Sequence, residues 1–122
     1  MPTQNEFHAV FEQLKRILVP YAKKLTVKAD TPGNYYLDGP YSEKWQKEIF
    51  FASAQIKKNY VSFYLMPVYM YPELLKEISP ELKKHMQGKS CFNFKKVEPT
   101  LFEELAVLTK KGAEKFNEEN GK

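Results

Sequence analysis

Met86-Gln-Gly-Lys-Ser-Cys-Phe-Asn-Phe-Lys-Lys96 is the stretch from which the order of elements in this chain can be read most directly. It contains the only cysteine, a Gly-Lys-Ser step, and a Cys-Phe-Asn-Phe alternation. That alternation, at period 2, predicts a strand over 90–95 with Phe92 and Phe94 on the core face. A helix pattern precedes it, opened by Ser79-Pro80-Glu81 with serine at the N-cap and proline at N1. Another helix follows from Glu98-Pro99-Thr100. Helix, strand and helix in so short a span predict an α+β domain. The Gly-Lys-Ser wording matches the end of a phosphate-binding loop, but its setting does not. Such a loop needs an earlier glycine after a strand, and then a helix whose N-terminus holds the phosphate. Here Lys84-His-Met-Gln closes a helix and a strand comes next. Gly88 is therefore predicted to stop that helix as a left-handed C′ residue, with Leu82 and Met86 facing inward.

Upstream, Val61, Phe63 and Leu65 alternate with Tyr60, Ser62, Tyr64 and Met66 on a fourth strand that Pro67 should end. Residues 45–57 predict the third strand, with Phe50, Ala52, Ala54 and Ile56 on one face, and Lys58-Asn59 the turn between the two. Residues 25–29 and 35–38 predict strands one and two around an Asp30-Thr-Pro-Gly33 turn, and Gly39-Pro40 opens a polar loop to about 43. The first helix runs from 3 to about 24. Thr3 and Glu6 form a capping box, and Phe7, Val10, Phe11, Leu14, Ile17, Leu18 and Tyr21 form its apolar stripe. Pro20 should end the regular helix near Leu18. A short helix starts at Pro72, with Leu74, Leu75 and Ile78 inward. In the last helix Leu101, Phe102, Leu105, Leu108 and Phe116 form the buried stripe, Gly112 weakens it, and the tail from about 117 frays. The order α-ββββ-αα-β-α predicts a mostly antiparallel five-stranded sheet with helices packed on one face, in one domain over 1–122.

Composition excludes several classes. At 122 residues, 43% hydrophobic and 15% aromatic, the chain can bury a core and is not disordered. Its apolar runs are too short to span a bilayer, so no membrane partner is expected. Glu6 and His8 stand where a signal peptide would have its apolar core, so none is expected. A single Cys91 cannot form an internal disulfide, which suits a cytoplasmic location. The net charge of +4 comes from lysine pairs spread along the chain, and Arg16 is the lone arginine. Scattered lysines make solvated faces, and the scarcity of arginine argues against nucleic acid.

The candidate chemistry is thin. Two isolated histidines, His8 and His85, and one cysteine do not supply metal-ligand spacing, so no metal or cofactor is expected. A nucleophilic Cys91 would need a base and a positive field beside it. The tyrosines are more informative. Alternation puts Tyr60, Ser62, Tyr64 and Met66 on one face, joined by Tyr36, Asp38, Cys91 and Asn93. A face both aromatic and polar can stack a planar ligand or bases, or meet a partner chain such as a second copy. Tyrosine also fits strands for its own sake, with its hydroxyl kept wet.

Leu18-Val-Pro-Tyr21, the Asp30-Thr-Pro-Gly-Asn-Tyr-Tyr-Leu37 run, Tyr60-Val-Ser-Phe-Tyr-Leu-Met-Pro67, Ile78-Ser-Pro-Glu-Leu82 and Gly88-Lys-Ser-Cys-Phe-Asn-Phe94, taken in this order, resemble the YdhG-like group of small bacterial domains of unknown function. The resemblance implies a small α+β fold with a sheet flanked by helices, and brings no established activity. One branch of the group is likened to frataxin-type iron chaperones, whose iron site uses an acidic ridge on the first helix. In this chain that helix has Glu6 and Glu12 against Lys15, Arg16, Lys23 and Lys24, and the next strand carries Lys28. A basic ridge repels iron, so no iron ligands are carried over.

The expected function is non-enzymatic binding of a small ligand or protein partner, with Tyr36, Tyr60, Tyr64, Cys91 and Asn93 as contacts. An enzyme using Cys91 or a tyrosine hydroxyl is the first alternative. Single-stranded nucleic-acid binding with Lys57, Lys58, Lys95 and Lys96 is the second.

Overall fold

In the computed structural model, which describes residues 4–23, 25–42, 46–88 and 90–120, the chain forms one five-stranded antiparallel sheet with strands in sequence order. The strands are β1 (Thr26–Thr31), β2 (Asn34–Ser42), β3 (Lys47–Ile56), β4 (Val61–Leu65) and β5 (Cys91–Phe94). Helix α1 (Gln4–Leu18) precedes them. Helices α2 (Met66–Met70) and α3 (Pro80–Lys83), with a 3-10 segment at Pro72–Glu77, link β4 to β5, and α4 (Pro99–Asn120) closes the chain. The fold is α+β, as the sequence predicts. No described helix is long and apolar enough to cross a membrane.

Local chemistry explains most element ends. α1 stops at Leu18 and tightens into a 3-10 turn over Val19–Tyr21, with Pro20 inside that turn. Proline cannot donate the next helical hydrogen bond, which is why the regular helix goes no further. The Thr3 capping position lies outside the described residues. Ser79 caps α3, its Oγ accepting from the Leu82 N–H at 3.2 Å. The Glu104 carboxylate of α4 in turn accepts from the Ser79 N–H at 2.6 Å and its Oγ at 2.7 Å, tying α3 to α4. Lys58-Asn59 forms the β3–β4 turn, closed by Lys57 N–H to Tyr60 O at 2.8 Å.

Register then sorts the side chains. Tyr35, Ala54, Phe63 and Phe92 align across four strands, flanked by Leu37, Ala52 and Leu65 on one side and Ile56, Val61 and Phe94 on the other. These residues face Phe7, Val10, Phe11, Leu14 and Leu18 of α1 and Leu101, Phe102, Leu105, Leu108 and Phe116 of α4 in one apolar cluster. Removing that many methyl and ring groups from water is the main favourable term for the fold. Lys15 fastens the helix layer to the sheet through Asp30 at 2.9 Å and lies over the Tyr35 ring.

Several expectations need correction. β3 does not alternate cleanly, because the register with β2 shifts between Leu37 and Asp38 and leaves Phe51 as the extra residue. The bulge sends Phe51 into the core against Tyr21 and Phe116, while Phe50 moves to the opposite face and packs tilted against Tyr36, ring centres 4.7 Å apart. β2 continues through Gly39-Pro40 where a loop is predicted, with a second irregularity in its pairing between Asp38 and Tyr41. Residues 43–45, including Trp45, lie outside the described residues. Met66 begins α2 rather than extending β4. Gly88 is not a helix C′ residue: α3 has already ended at Lys83, and Gly88 (φ 82°) turns the chain between Met86 and Phe92, which form a bridge. α4 stays helical to Asn120. Gly112 is a contact point, since a Cβ there would lie 2.8 Å from the Pro67 Cβ, so α2 and α4 cross closely because that side chain is missing.

Gly39 is the tightest such point, for a Cβ there would fall 2.5 Å from the Phe116 ring. Gly39→Ala is expected to destabilise the chain by about 1–3 kcal/mol in urea unfolding. Combined with Phe116→Leu, the total loss should be smaller than the sum of the two single losses. Strict additivity would show that the ring and the glycine are not in contact.

Candidate functional site

Among the described residues, the second face of the sheet carries no member of the apolar cluster that holds the helices. Register draws two rows across it. One is Tyr36, Ser53, Tyr64 and Cys91; the other is Asn34, Gln55, Ser62 and Asn93. The first row is aromatic with a thiol at its end, the second is entirely amide and hydroxyl. Ser53 and Ser62 are small and fully shielded by their taller neighbours, whereas Tyr36, Gln55, Tyr64, Cys91 and Asn93 remain partly open.

Asn93 is the hub of this face. Its Oδ1 accepts from Ser62 Oγ at 2.7 Å and from Cys91 Sγ at 3.2 Å, and its Nδ2 donates to Gln87 Oε1 at 2.6 Å. Its backbone N–H donates to His85 O, and its carbonyl lies 2.8 Å from His85 Nδ1. Residues 85–87 are thereby laid along the outer edge of β5, with the His85 ring stacked on Phe94 at 4.5 Å and its Nε2 3.1 Å from Glu98. A second chain of bonds runs from Lys57 Nζ to Gln55 Oε1 (2.8 Å) and from Gln55 Nε2 to Ser53 Oγ (3.2 Å), with Lys57 Nζ 5.7 Å from the Tyr64 ring centre. Asn34 Oδ1, next along the row, is buried with no hydrogen-bond partner.

At the β4–β5 end the face runs into a cavity of about 520 Å3, where Tyr60, Asn93, Gln87 and His85 meet Lys95, Lys96 and Glu98. Of the five residues expected from sequence, Tyr36, Tyr64, Cys91 and Asn93 share this face, with Tyr64 on β4 beside Cys91 and Asn93 on β5 and Tyr36 on β2 across the intervening Ser53 of β3. Tyr60 lines this cavity with Asn93 instead. His85, Gln87, Glu98, Ser53 and Gln55 were not anticipated. Gln55 and Ser53 follow from the same alternation that located Tyr36. His85 and Gln87 reach the site through the packing of residues 85–87 along β5, and Glu98 through its contact with His85 Nε2.

The surroundings of Cys91 keep its thiol protonated. Burial pushes the Cys91 thiol above its ordinary value, more than the Ser62 and Tyr64 hydroxyls and the Lys57 charge offset. Its S–H donates to Asn93, and His85 is engaged at both nitrogens, so among the described residues no free histidine base faces the sulfur. Among the described residues, no three His, Cys, Asp or Glu side chains converge as a metal site. Burial also raises the hydroxyls of Tyr36 and Tyr35 above the ordinary tyrosine value, helped at Tyr36 by the Asp38 charge and at Tyr35 by Asp30.

Two outcomes follow from these protonated groups. Alkylation of Cys91 by iodoacetamide at pH 7.5 should be slower than that of a free cysteine peptide, and faster alkylation would reveal an activated thiolate. The fold prefers the protonated thiol and phenols, so below the unfolded thiol value of 9.0 they leave stability unchanged. Stability should then fall as pH rises past that value and past the unfolded tyrosine value of 10.0, seen as a declining thermal midpoint. A midpoint that stays level through this range would contradict the assignment. No family model, curated protein or solved structure matches the chain.

Proposed function

We propose that this chain is a non-catalytic cytoplasmic domain that binds a small planar ligand with polar edges on its tyrosine-bearing sheet face. The observation that carries this reading is the pairing of an aromatic row with an amide-hydroxyl row on a face that the helices leave alone. Rings at Tyr36 and Tyr64 offer stacking area, and Asn93 and Gln55 offer donors and acceptors beside it. The bonds from Asn93 to Ser62, Gln87 and Cys91 fix its amide before any ligand arrives, which lowers the ordering cost of binding. Cytoplasmic residence is supported by the lone free cysteine.

The resemblance to the YdhG-like domains rests on sequence wording and contributes no ligand. Nucleic acid is the weaker reading for this face, because Lys57 is already held by Gln55 over the Tyr64 ring.

Amide-detected NMR against a library of planar heterocycles tests the proposal. Binders should move the resonances of Tyr36, Ser53, Tyr64, Cys91 and Asn93. Tyr64→Ala should weaken them by about tenfold, as expected for one lost stacking contact of about 1–3 kcal/mol, while Cys91→Ala should leave affinity within about twofold. Binders that cluster elsewhere, or indifference to Tyr64→Ala, would remove this reading.

A further inference from the structure

On the helix side of the sheet, away from the tyrosine face, a second cavity of about 310 Å3 opens between the end of α1 and the C-terminal half of α4. Its floor is aromatic. Phe51 and Phe116 meet edge to face at 5.5 Å, and Tyr21 lies 5.8 Å from Phe51. Pro20, Leu25 and Ala113 complete the apolar wall. The Phe116 ring of this floor is seated directly against Gly39. A mostly apolar hollow of this size with a few polar groups at its mouth is the usual form of a small-molecule site.

Two charged residues of α4 line it, Lys110 and Glu114, both exposed and one helical turn apart. Residues at that spacing have Cβ atoms about 5–6 Å apart, and a cation N-terminal to an anion is the less favourable order for pairing along a helix. Among the described residues, neither makes an ion pair or a side-chain hydrogen bond. The Glu114 charge is felt inside the cavity, where it adds to burial in raising the Tyr21 hydroxyl. Among the described residues, the rim therefore presents one positive and one negative group, neither of them paired, above an aromatic floor.

We infer that this cavity binds a free apolar amino acid, its side chain on the Phe51–Phe116 floor, its carboxylate on Lys110 and its ammonium on Glu114. A simple carboxylate would satisfy Lys110 but set its charge beside Glu114. A simple amine would make the opposite error. A zwitterion with an apolar side chain meets both rim charges and the floor at once.

Calorimetric titration of the full chain with L-phenylalanine and L-leucine, beside 3-phenylpropionate and 2-phenylethylamine as single-charge analogues, tests the assignment. At least one of the two amino acids should bind saturably. Each analogue should bind about tenfold more weakly than L-phenylalanine, or not at all, and Lys110→Ala and Glu114→Ala should each cost the amino acid a similar factor. Both positions are exposed, so these variants should keep the fold, which circular dichroism checks. Ala113→Leu, which fills the hollow, should abolish binding. The inference is overturned if neither amino acid binds in the millimolar range, if the analogues bind as well as the amino acid, or if binding is indifferent to both charge variants. None of these outcomes bears on the tyrosine face.

Discussion

The register that aligns Tyr35, Ala54, Phe63 and Phe92 across β2 to β5 is the constraint on which the rest of the structure depends. Side chains along a strand alternate between faces, so one alignment decides two surfaces together. With these four residues turned toward α1 and α4, Tyr36, Ser53, Tyr64 and Cys91 must turn the other way. A slip of one residue would expose Phe63 and Phe92 and bury polar groups that have no partners among the helices. The apolar cluster thus specifies the polar face without touching it. The hairpin turn at Lys58-Asn59 and the 85–87 segment along β5 hold the register from its ends.

The two faces obey different physics. On the helix side, stability comes from area removed from water and from close packing, with Gly39 and Gly112 letting Phe116 and Pro67 approach further than any side chain would permit. On the other side the side chains are held by hydrogen bonds, and Asn93 carries the greatest share of them. Such a network contributes modestly to net stability but is costly to leave half-made, which favours one fixed arrangement of its amides. A fixed, partly open set of donors, acceptors and rings is what recognition of a small polar molecule requires. The same fixity argues against chemistry at Cys91, whose proton is retained by burial and by its bond to Asn93.

The fold was legible wherever a local rule sufficed. Pro20 stops α1, Ser79 caps α3, and the alternations over 61–65 and 91–94 identify their strands and faces. It was illegible where a distant contact overrode the local rule. Gly39, Gly88 and Gly112 all look like punctuation in the sequence, but only Gly88 acts as a turn, and it does so beyond the helix end rather than as the C′ stop that the sequence predicts. Phe50 and Phe51 cannot be told apart by periodicity, because a bulge against β2 decides which of them enters the core. For the candidate site, alternation was enough to bring Tyr36, Tyr64, Cys91 and Asn93 together. His85 and Glu98 belong to segments whose sequence gives no sign that they converge beside Asn93, and Tyr60 was displaced from the group by lying at the strand's end.

Access to the second sheet face is the central claim, and solvent paramagnetic relaxation measures it directly. With a soluble, uncharged gadolinium chelate added to the purified chain, the side-chain resonances of Tyr36, Tyr64 and the Asn93 amide should relax strongly, while those of Tyr35, Phe63 and Phe92 stay protected. Protection of the tyrosine face equal to that of the core would mean that it is covered in solution, and would contradict the account.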